Sequence, residues 1–215
     1  HSYYGYSWTI DLIEDSIFGE NLQPIVDEIR RQGMEATIFK YRPFIDLALD
    51  QYSEDDCVIA LGSINAITQV RRRSKWIPGC FANFPNFDCM KYYSYYGKYL
   101  LNQNYYILPF GELQRLCKEN YQPLKMFVRP CSGTKQFTGQ VLTAYDILLN
   151  TNIRVDLPVV VADFRKLKSE YRLFCTDYNT ILAGSRYYDE NNIWNPKAID
   201  MLSPTSEESV VLEFA

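Results

Sequence analysis

At 215 residues the chain is long enough to bury a substantial core and to divide into two lobes. Its composition, 47% hydrophobic and 22% charged, is ordinary for a globular protein and leaves no segment that has to be disordered. A net charge of -4 with a sequence pI near 5.1 argues against non-specific binding to nucleic acid or to an anionic membrane, since both require a basic surface.

Six cysteines stand at positions 57, 80, 89, 117, 131 and 175, with no C-x-x-C pair and no histidine nearby. They suggest neither a zinc cluster nor a disulfide framework, and reduced, mostly buried thiols are expected. The longest apolar stretch, Leu157 to Ala162, is far too short to span a membrane, and nothing at the start resembles a charged-then-apolar signal segment, so a cytoplasmic location is expected. The sole histidine, His1, sits at the first position, which excludes Ser-His-Asp and Cys-His mechanisms. The chain begins His-Ser and ends in Val-Val-Leu-Glu-Phe-Ala, which reads as a strand cut short; both ends are expected to be incomplete.

In chain order, Leu22, Ile25, Val26 and Ile29 fall at helical spacing between Pro24 and Gly33, which predicts an amphipathic helix over 23–32. Alternation at 36–40 predicts a strand, and the apolar run Cys57 to Leu61, closed by Gly62, predicts a buried parallel one. Ile64, Ile67 and Val70 mark a second helix, whose Arg71, Arg72 and Arg73 suit the negative end of its dipole better than a phosphate clamp. Helices alternating with strands imply βαβ units. The aromatics crowded between Phe81 and Tyr106 are expected to serve packing rather than base stacking, because few basic residues interleave with them.

From Leu124 the pattern changes. Lys125 to Arg129 alternates as a strand, Pro130 stops it, and Cys131 to Gly139 forms a loop. Thr143 with Asp146 predicts a capping box for a short helix ending near Asn150. Val159 to Ala162 reads as a buried strand, Glu170 to Cys175 and Thr180 to Tyr188 as a hairpin across 177–179, and Val210 to Phe214 as the start of another strand.

Two places suit phosphate chemistry. Arg129 ends a strand, a loop of small residues with exposed amides follows, and Lys135 adds a second cation. This is neither G-x-x-x-x-G-K-[ST] nor G-x-G-x-x-G, and an ordinary surface turn would look the same. Glu170 and Arg172, two apart on a strand, emerge on one face, with Tyr171 and Leu173 on the other. Whether Ser185 or Arg186 joins Arg172 depends on a hairpin register that spacing leaves open, and a cross-strand salt bridge on an exposed sheet is the bland alternative.

Taken in order, these segments resemble the ATP-grasp superfamily, in particular its arginine-and-lysine clade of peptide-ligase-like enzymes. The residues that carry the likeness begin with Glu20-Asn21-Leu22-Gln23-Pro24-Ile25, Tyr41-Arg42-Pro43-Phe44, Gly62-Ser63-Ile64-Asn65 and Trp76-Ile77-Pro78-Gly79. They continue through Gly97-Lys98-Tyr99-Leu100-Leu101-Asn102, Leu108-Pro109, Val128-Arg129-Pro130, Ser132-Gly133, Lys135 and Phe137-Thr138-Gly139. Val159-Val160-Val161, Glu170-Tyr171-Arg172 and Ala183-Gly184-Ser185-Arg186-Tyr187 complete the set.

The resemblance implies a mixed α/β and α+β chain. A Rossmann-like pre-ATP-grasp domain over 1–88 would precede an ATP-grasp domain over 89–215, itself split into a first subdomain at 89–157 and a second at 158–215. It implies that Arg129 contacts the nucleotide phosphates, that Lys135 and the loop containing Ser132 and Gly133 cover them, and that Val160, Val161 and Ala162 present backbone groups to adenine. Glu170 would line the cleft, Arg172 would bind a phosphate or acyl phosphate, and Ser185 and Arg186 would belong to the same nucleotide site. Glu213 stands where the family's first metal-binding acid, normally an aspartate, is expected, with Mg²⁺ as the metal and the second metal strand not yet complete. The activity implied is ATP-driven ligation of a carboxylate to an amine, on an amino acid, peptide or protein end. A binding module that has lost its metal carboxylates is the alternative, and a nucleotide-dependent glycosyl- or methyltransferase, resting on Gly62-Ser63 alone, is the weakest.

Overall fold

The computed structural model describes residues 10–14, 22–42, 50–73, 75–77, 79–80, 84–134, 136–175, 180–189 and 197–214. Two compact units emerge: His1–Leu101 with Pro130–Thr138, and Asn102–Arg129 with Gly139–Ala215.

The first unit holds a parallel sheet in the order β2-β1-β3, from β1 (Ile10–Glu14), β2 (Glu35–Phe39) and β3 (Val58–Leu61). Its helices are α1 (Leu22–Arg31) and α2 (Ile64–Arg73), at the places the apolar spacing predicts. Strand alternation separates two cores. Ile13 and Ala36 pack with Val26 of α1, whereas Val58 and Ala60 pack with Ile67 and Val70 of α2 and with Trp76. A parallel sheet buried on both faces needs the nearly continuous apolar run that Cys57 to Leu61 supplies. Trp76 is fixed by its indole N–H, which donates to the Ser53 carbonyl at 2.9 Å. As expected, Arg71 and Arg72 are exposed at the end of α2, with the Arg71 guanidinium 5.9 Å from the Phe84 ring.

A 3-10 turn at Phe84–Phe87 leads into α3 (Cys89–Tyr96), which Asp88 caps by accepting from the Met90 N–H at 2.9 Å. The tyrosines here serve packing only in part. Tyr92 meets Tyr93 and Tyr96 edge to face, but Tyr95, Tyr96 and Tyr99 are more than half exposed.

In the second unit a four-stranded sheet runs β4-β7-β5-β6, from β4 (Tyr105–Pro109), β5 (Lys125–Pro130), β6 (Gln140–Thr143) and β7 (Pro158–Asp163). The pairings of β4 with β7 and of β5 with β6 are antiparallel. Helix α4 (Phe110–Glu119) buries Phe110, Leu113 and Cys117. Its Gln114 amide donates to the carbonyls of Ile147 and Asn150, tying it to α5 (Ala144–Leu149).

Helix α5 begins with the capping box the sequence predicts: Asp146 N–H donates to Thr143 Oγ1, and Thr143 N–H donates to the Asp146 carboxylate. The Thr143 hydroxyl, and then its main-chain N–H, hold the Asp146 carboxyl below its ordinary pKa. A depressed carboxyl adds stability above its unfolded value near pH 4, and loses it as pH falls through the folded value. Thr143→Ala is expected to cost about 1 kcal/mol and to lower Tm by roughly 2–4 °C. It should also flatten the acid limb of stability below about pH 4; melting curves from pH 7 to pH 3 check both.

The remaining strands are β8 (Ser169–Cys175), β9 (Ile181–Asp189) and β10 (Lys197–Ala198), in an antiparallel sheet ordered β10-β9-β8. The hairpin arises as expected, although its turn at 177–179 lies outside the described residues. One expectation fails: Val210 to Phe214 is not a strand but the body of α6 (Ser206–Phe214). Thr205 and Glu208 form a second reciprocal cap. Thr205 N–H donates to Glu208 Oε2 at 2.8 Å and Glu208 N–H to Thr205 Oγ1 at 3.3 Å, with Glu207 and Glu208 in the first turn. That start nucleates a helix and overrides the strand preference of Val210-Val211.

Among the described residues no helix is long and apolar enough to cross a membrane. All six cysteines are free; Cys89, Cys117 and Cys131 are buried, and Cys175 is exposed.

Candidate functional site

Strand β5 carries the first candidate cation. Alternation puts Phe127 and Arg129 on one face and Met126 and Val128 on the other, and pairing with β6 sets Val141 opposite Phe127. Val128 is buried in the core, while Phe127 and Arg129 are half-buried. Gly139 lies over the Phe127–Arg129 face so closely that a Cβ there would meet Phe127 Cζ at 2.8 Å and Arg129 Cβ at 3.4 Å. The glycine lets the returning chain settle on Arg129, a close approach that sequence spacing alone did not reveal.

The loop after Arg129 begins with a Ser132–Thr134 turn, in which Thr134 N–H donates to Ser132 Oγ at 3.2 Å and the two hydroxyls lie 2.8 Å apart. Ser132 and Gly133 are half-buried within the first unit. Lys135 lies outside the described residues.

Strand β7 is an interior strand of its sheet, with Val159, Val160, Val161 and Ala162 all buried. Where it ends, a cleft of about 890 Å³ opens within the second unit. Val161, Ala162, Asp163 and Phe164 line it together with Lys125 and Met126 of β5. Successive residues of both strands contribute, so the cleft wraps the end of the sheet rather than lying on one face. Val160 does not line it. The Lys125 ammonium stands 5.8 Å from the Phe164 ring centre. Asp163 and Phe164 escaped the sequence reading, although the abrupt end of the apolar run at Asp163 marks the place.

The β8–β9 register settles the question that spacing left open. Arg172 pairs with Ser185 and Tyr171 with Arg186, with a register shift between Glu170 and Tyr171. Glu170, Arg172 and Ser185 therefore share one face. Arg186 joins Tyr171 on the other, the face turned toward α6. There Ser169 Oγ donates to Glu207 at 2.6 Å, and the buried Tyr171 hydroxyl lies beside the same carboxylate. The Ser169 hydrogen bond, then Tyr171, holds the Glu207 carboxyl below its ordinary pKa, while burial and then Glu207 push the Tyr171 phenol up. The Thr205 cap lowers buried Glu208, with smaller help from Lys197 and Arg186. Gly184 closes this face: a Cβ there would lie 2.7 Å from Ile199 Cδ1 and 2.8 Å from Leu173 Cδ2. The structure thus gathers Glu170, Arg172 and Ser185 and places Arg186 behind the sheet.

Glu213 lies exposed on α6 rather than on a strand. Among the described residues no three His, Cys, Asp or Glu side chains form a group able to hold a metal ion.

A family model for the ATP-grasp domain, family 2 of the arginine-and-lysine clade, matches residues 102–213, more than half of the chain. The chain belongs to that family. No curated protein matches this ATP-grasp chain in sequence. Among solved structures it is similar to a RimK domain ATP-grasp protein from Sphaerobacter thermophilus, with TM-score 0.58 and 12% identity over 96% of this chain and 79% of that one. A D-alanine--D-alanine ligase from Bacillus anthracis gives TM-score 0.54 and 14% identity over 96% and 76%. The ATP-grasp ligase PsnB, complexed with a minimal precursor, gives 0.51 and 12% over 97% and 81%. At such identities these likenesses carry the fold, and the mixed α/β architecture with antiparallel sheets is that of the ATP-grasp proteins.

Proposed function

We propose that this ATP-grasp chain is an ATP-dependent carboxylate-amine ligase acting on an amino acid, peptide or protein end. The observation that carries the reading is the hairpin face on which Glu170, Arg172 and Ser185 stand together, with Arg186 turned away to α6. A carboxylate, a guanidinium and a hydroxyl on one wall suit a ribose-triphosphate better than a structural ion pair does. The end of β7 and its cleft would take the base through main-chain groups at Val161 and Ala162, with Asp163 and Phe164 beside them and Val160 supporting the strand from within. Arg129 lies four residues along β5 from Lys125 at the cleft, about 13 Å at 3.3 Å per residue, a span that suits an extended triphosphate. The loop of Ser132, Gly133 and Lys135 would cover the phosphates, and the three-stranded parallel sheet with α1 and α2 is read as the Rossmann-like pre-ATP-grasp domain.

In the reaction proposed, a substrate carboxylate oxygen takes the γ-phosphoryl group of ATP and ADP leaves. The amine then attacks the acyl carbon, and the C–O bond to phosphate breaks to release inorganic phosphate. With histidine confined to position 1, the protein's part is to position the reactants and to neutralise phosphoryl charge through Arg129, Lys135 and Arg172. The described residues, Glu213 included, do not form a magnesium cage, so no step is assigned to a protein-bound metal; the nucleotide enters as its magnesium complex.

Thermal unfolding with and without Mg-ATP tests the reading. Binding to the native state alone adds about 2.7 kcal/mol at a hundredfold excess over Kd, a shift of several degrees at roughly 2–4 °C per kcal/mol. A shift accompanied by ADP release that requires both a carboxylate and an amine supports the ligase. The exposed helical position of Glu213 favours a second reading, a nucleotide-binding module without turnover. A shift without ADP release across amino acids and peptides would select it, and no shift would remove both.

A further inference from the structure

The loop Cys131–Thr138 is contiguous in sequence with β5, yet it packs with the 3-10 turn Phe84–Phe87 and with α3. Three contacts hold it. Cys89 N–H, at the start of α3, donates to the Cys131 carbonyl at 2.9 Å. The Cys131 thiol donates to Asp88 Oδ1 at 3.5 Å, the same oxygen that caps α3. Gly133 lies so close to Phe87 that a Cβ would stand 2.2 Å from Phe87 Cβ and 3.0 Å from its carbonyl oxygen. Cys131 is 3% exposed, and burial pushes its thiol up to about 11, so it remains an S–H donor at neutral pH.

We propose that Asp88, Cys131 and Gly133 form a latch that positions the phosphate-covering loop on α3 before nucleotide arrives. This deepens the ATP reading and rests on it. None of the three needs to touch the reacting atoms: they are positioning residues. Their effect is to remove the ordering cost that a free glycine-containing loop would meet on binding, so affinity for Mg-ATP should depend on residues of the first unit that never meet the nucleotide.

The experiment couples a thiol readout to a binding readout on the full chain. N-Ethylmaleimide labelling, resolved by peptide mass, gives the rate at Cys131, with exposed Cys175 as the fast reference and buried Cys117 as a check on the second unit's core. In the wild type, Cys131 should react at least tenfold more slowly than Cys175. Gly133→Ala should raise the Cys131 rate at least tenfold, leave Cys117 unchanged and weaken Mg-ATP binding at least tenfold. Asp88→Asn keeps a good helix cap while removing the charged acceptor, and it should act in the same direction. Cys131→Ser, which retains a donor to Asp88, should keep wild-type affinity, whereas Cys131→Val should not. If the wild type binds Mg-ATP and both Gly133→Ala and Asp88→Asn bind it equally well, the latch is overturned. Release of Cys131 in both variants without loss of affinity overturns it too. Failure of the wild type to bind Mg-ATP removes the nucleotide reading itself.

Discussion

Arg129→Ala is expected to lower ATP-dependent turnover at least about a hundredfold and to abolish the Mg-ATP thermal shift while leaving the nucleotide-free melt close to wild type. Arg129 is half-buried at the end of β5, where the strand fixes its stem and Gly139 packs against its Cβ, so the guanidinium is presented by a rigid element. Loss of one charge-stabilising contact on a transferring group removes about 3–4 kcal/mol by analogy with oxyanion-site deletions, which is a factor of 10² or more in rate. The nucleotide-free melt separates this effect from damage to the strand. Arg129→Lys retains the charge but not the planar fork, and should recover part of the activity. Unchanged turnover and an intact thermal shift in Arg129→Ala would remove this residue from the nucleotide site.

How much of this was legible in the sequence depends on whether the deciding interaction was local. The helices at Leu22–Arg31 and Ile64–Arg73 and the cap at Thr143 are written in spacings of three and four residues, and they form where those spacings put them. The same reciprocal cap is present at Thr205 and Glu208, but the neighbouring Val210-Val211 pair pointed to a strand; the helix start, with its acidic first turn, won. The strand reading in turn had set Glu213 beside a metal, and the helix leaves it exposed. The hairpin was legible as a hairpin, but its register turned on an irregularity near Glu170 that pairs Tyr171 with Arg186, which no residue spacing encodes. Contacts across 40 or more residues, such as Cys89 with Cys131, lay out of reach entirely.

That register yields the sharpest contrast available on this chain. Arg172→Ala should lower turnover at least about a hundredfold, whereas Arg186→Ala should leave it within about threefold of wild type. The two arginines are close in space and both lie on the β8–β9 hairpin, so a purely global effect on that sheet would strike them alike. Their faces differ: Arg172 stands exposed beside Glu170 and opposite Ser185, while Arg186 faces the α6 side, where it lends a small share to keeping Glu207 and Glu208 ionised. Both carboxyls have pKa values lowered by folding, so they stabilise the protein above their unfolded values near pH 4 and cease to do so as pH falls through the folded ones. Arg186→Ala should therefore appear mainly as a slightly weaker acid-side stability. Because the hydrogen bonds from Ser169 and Thr205 outrank Arg186 at these two acids, even that change should be small. Steady-state ADP release and melting curves at pH 7 and pH 4.5 on the two variants decide the matter. If Arg186→Ala loses turnover a hundredfold while Arg172→Ala retains it, the nucleotide lies on the α6 side of the sheet and the face assigned to it here is the wrong one.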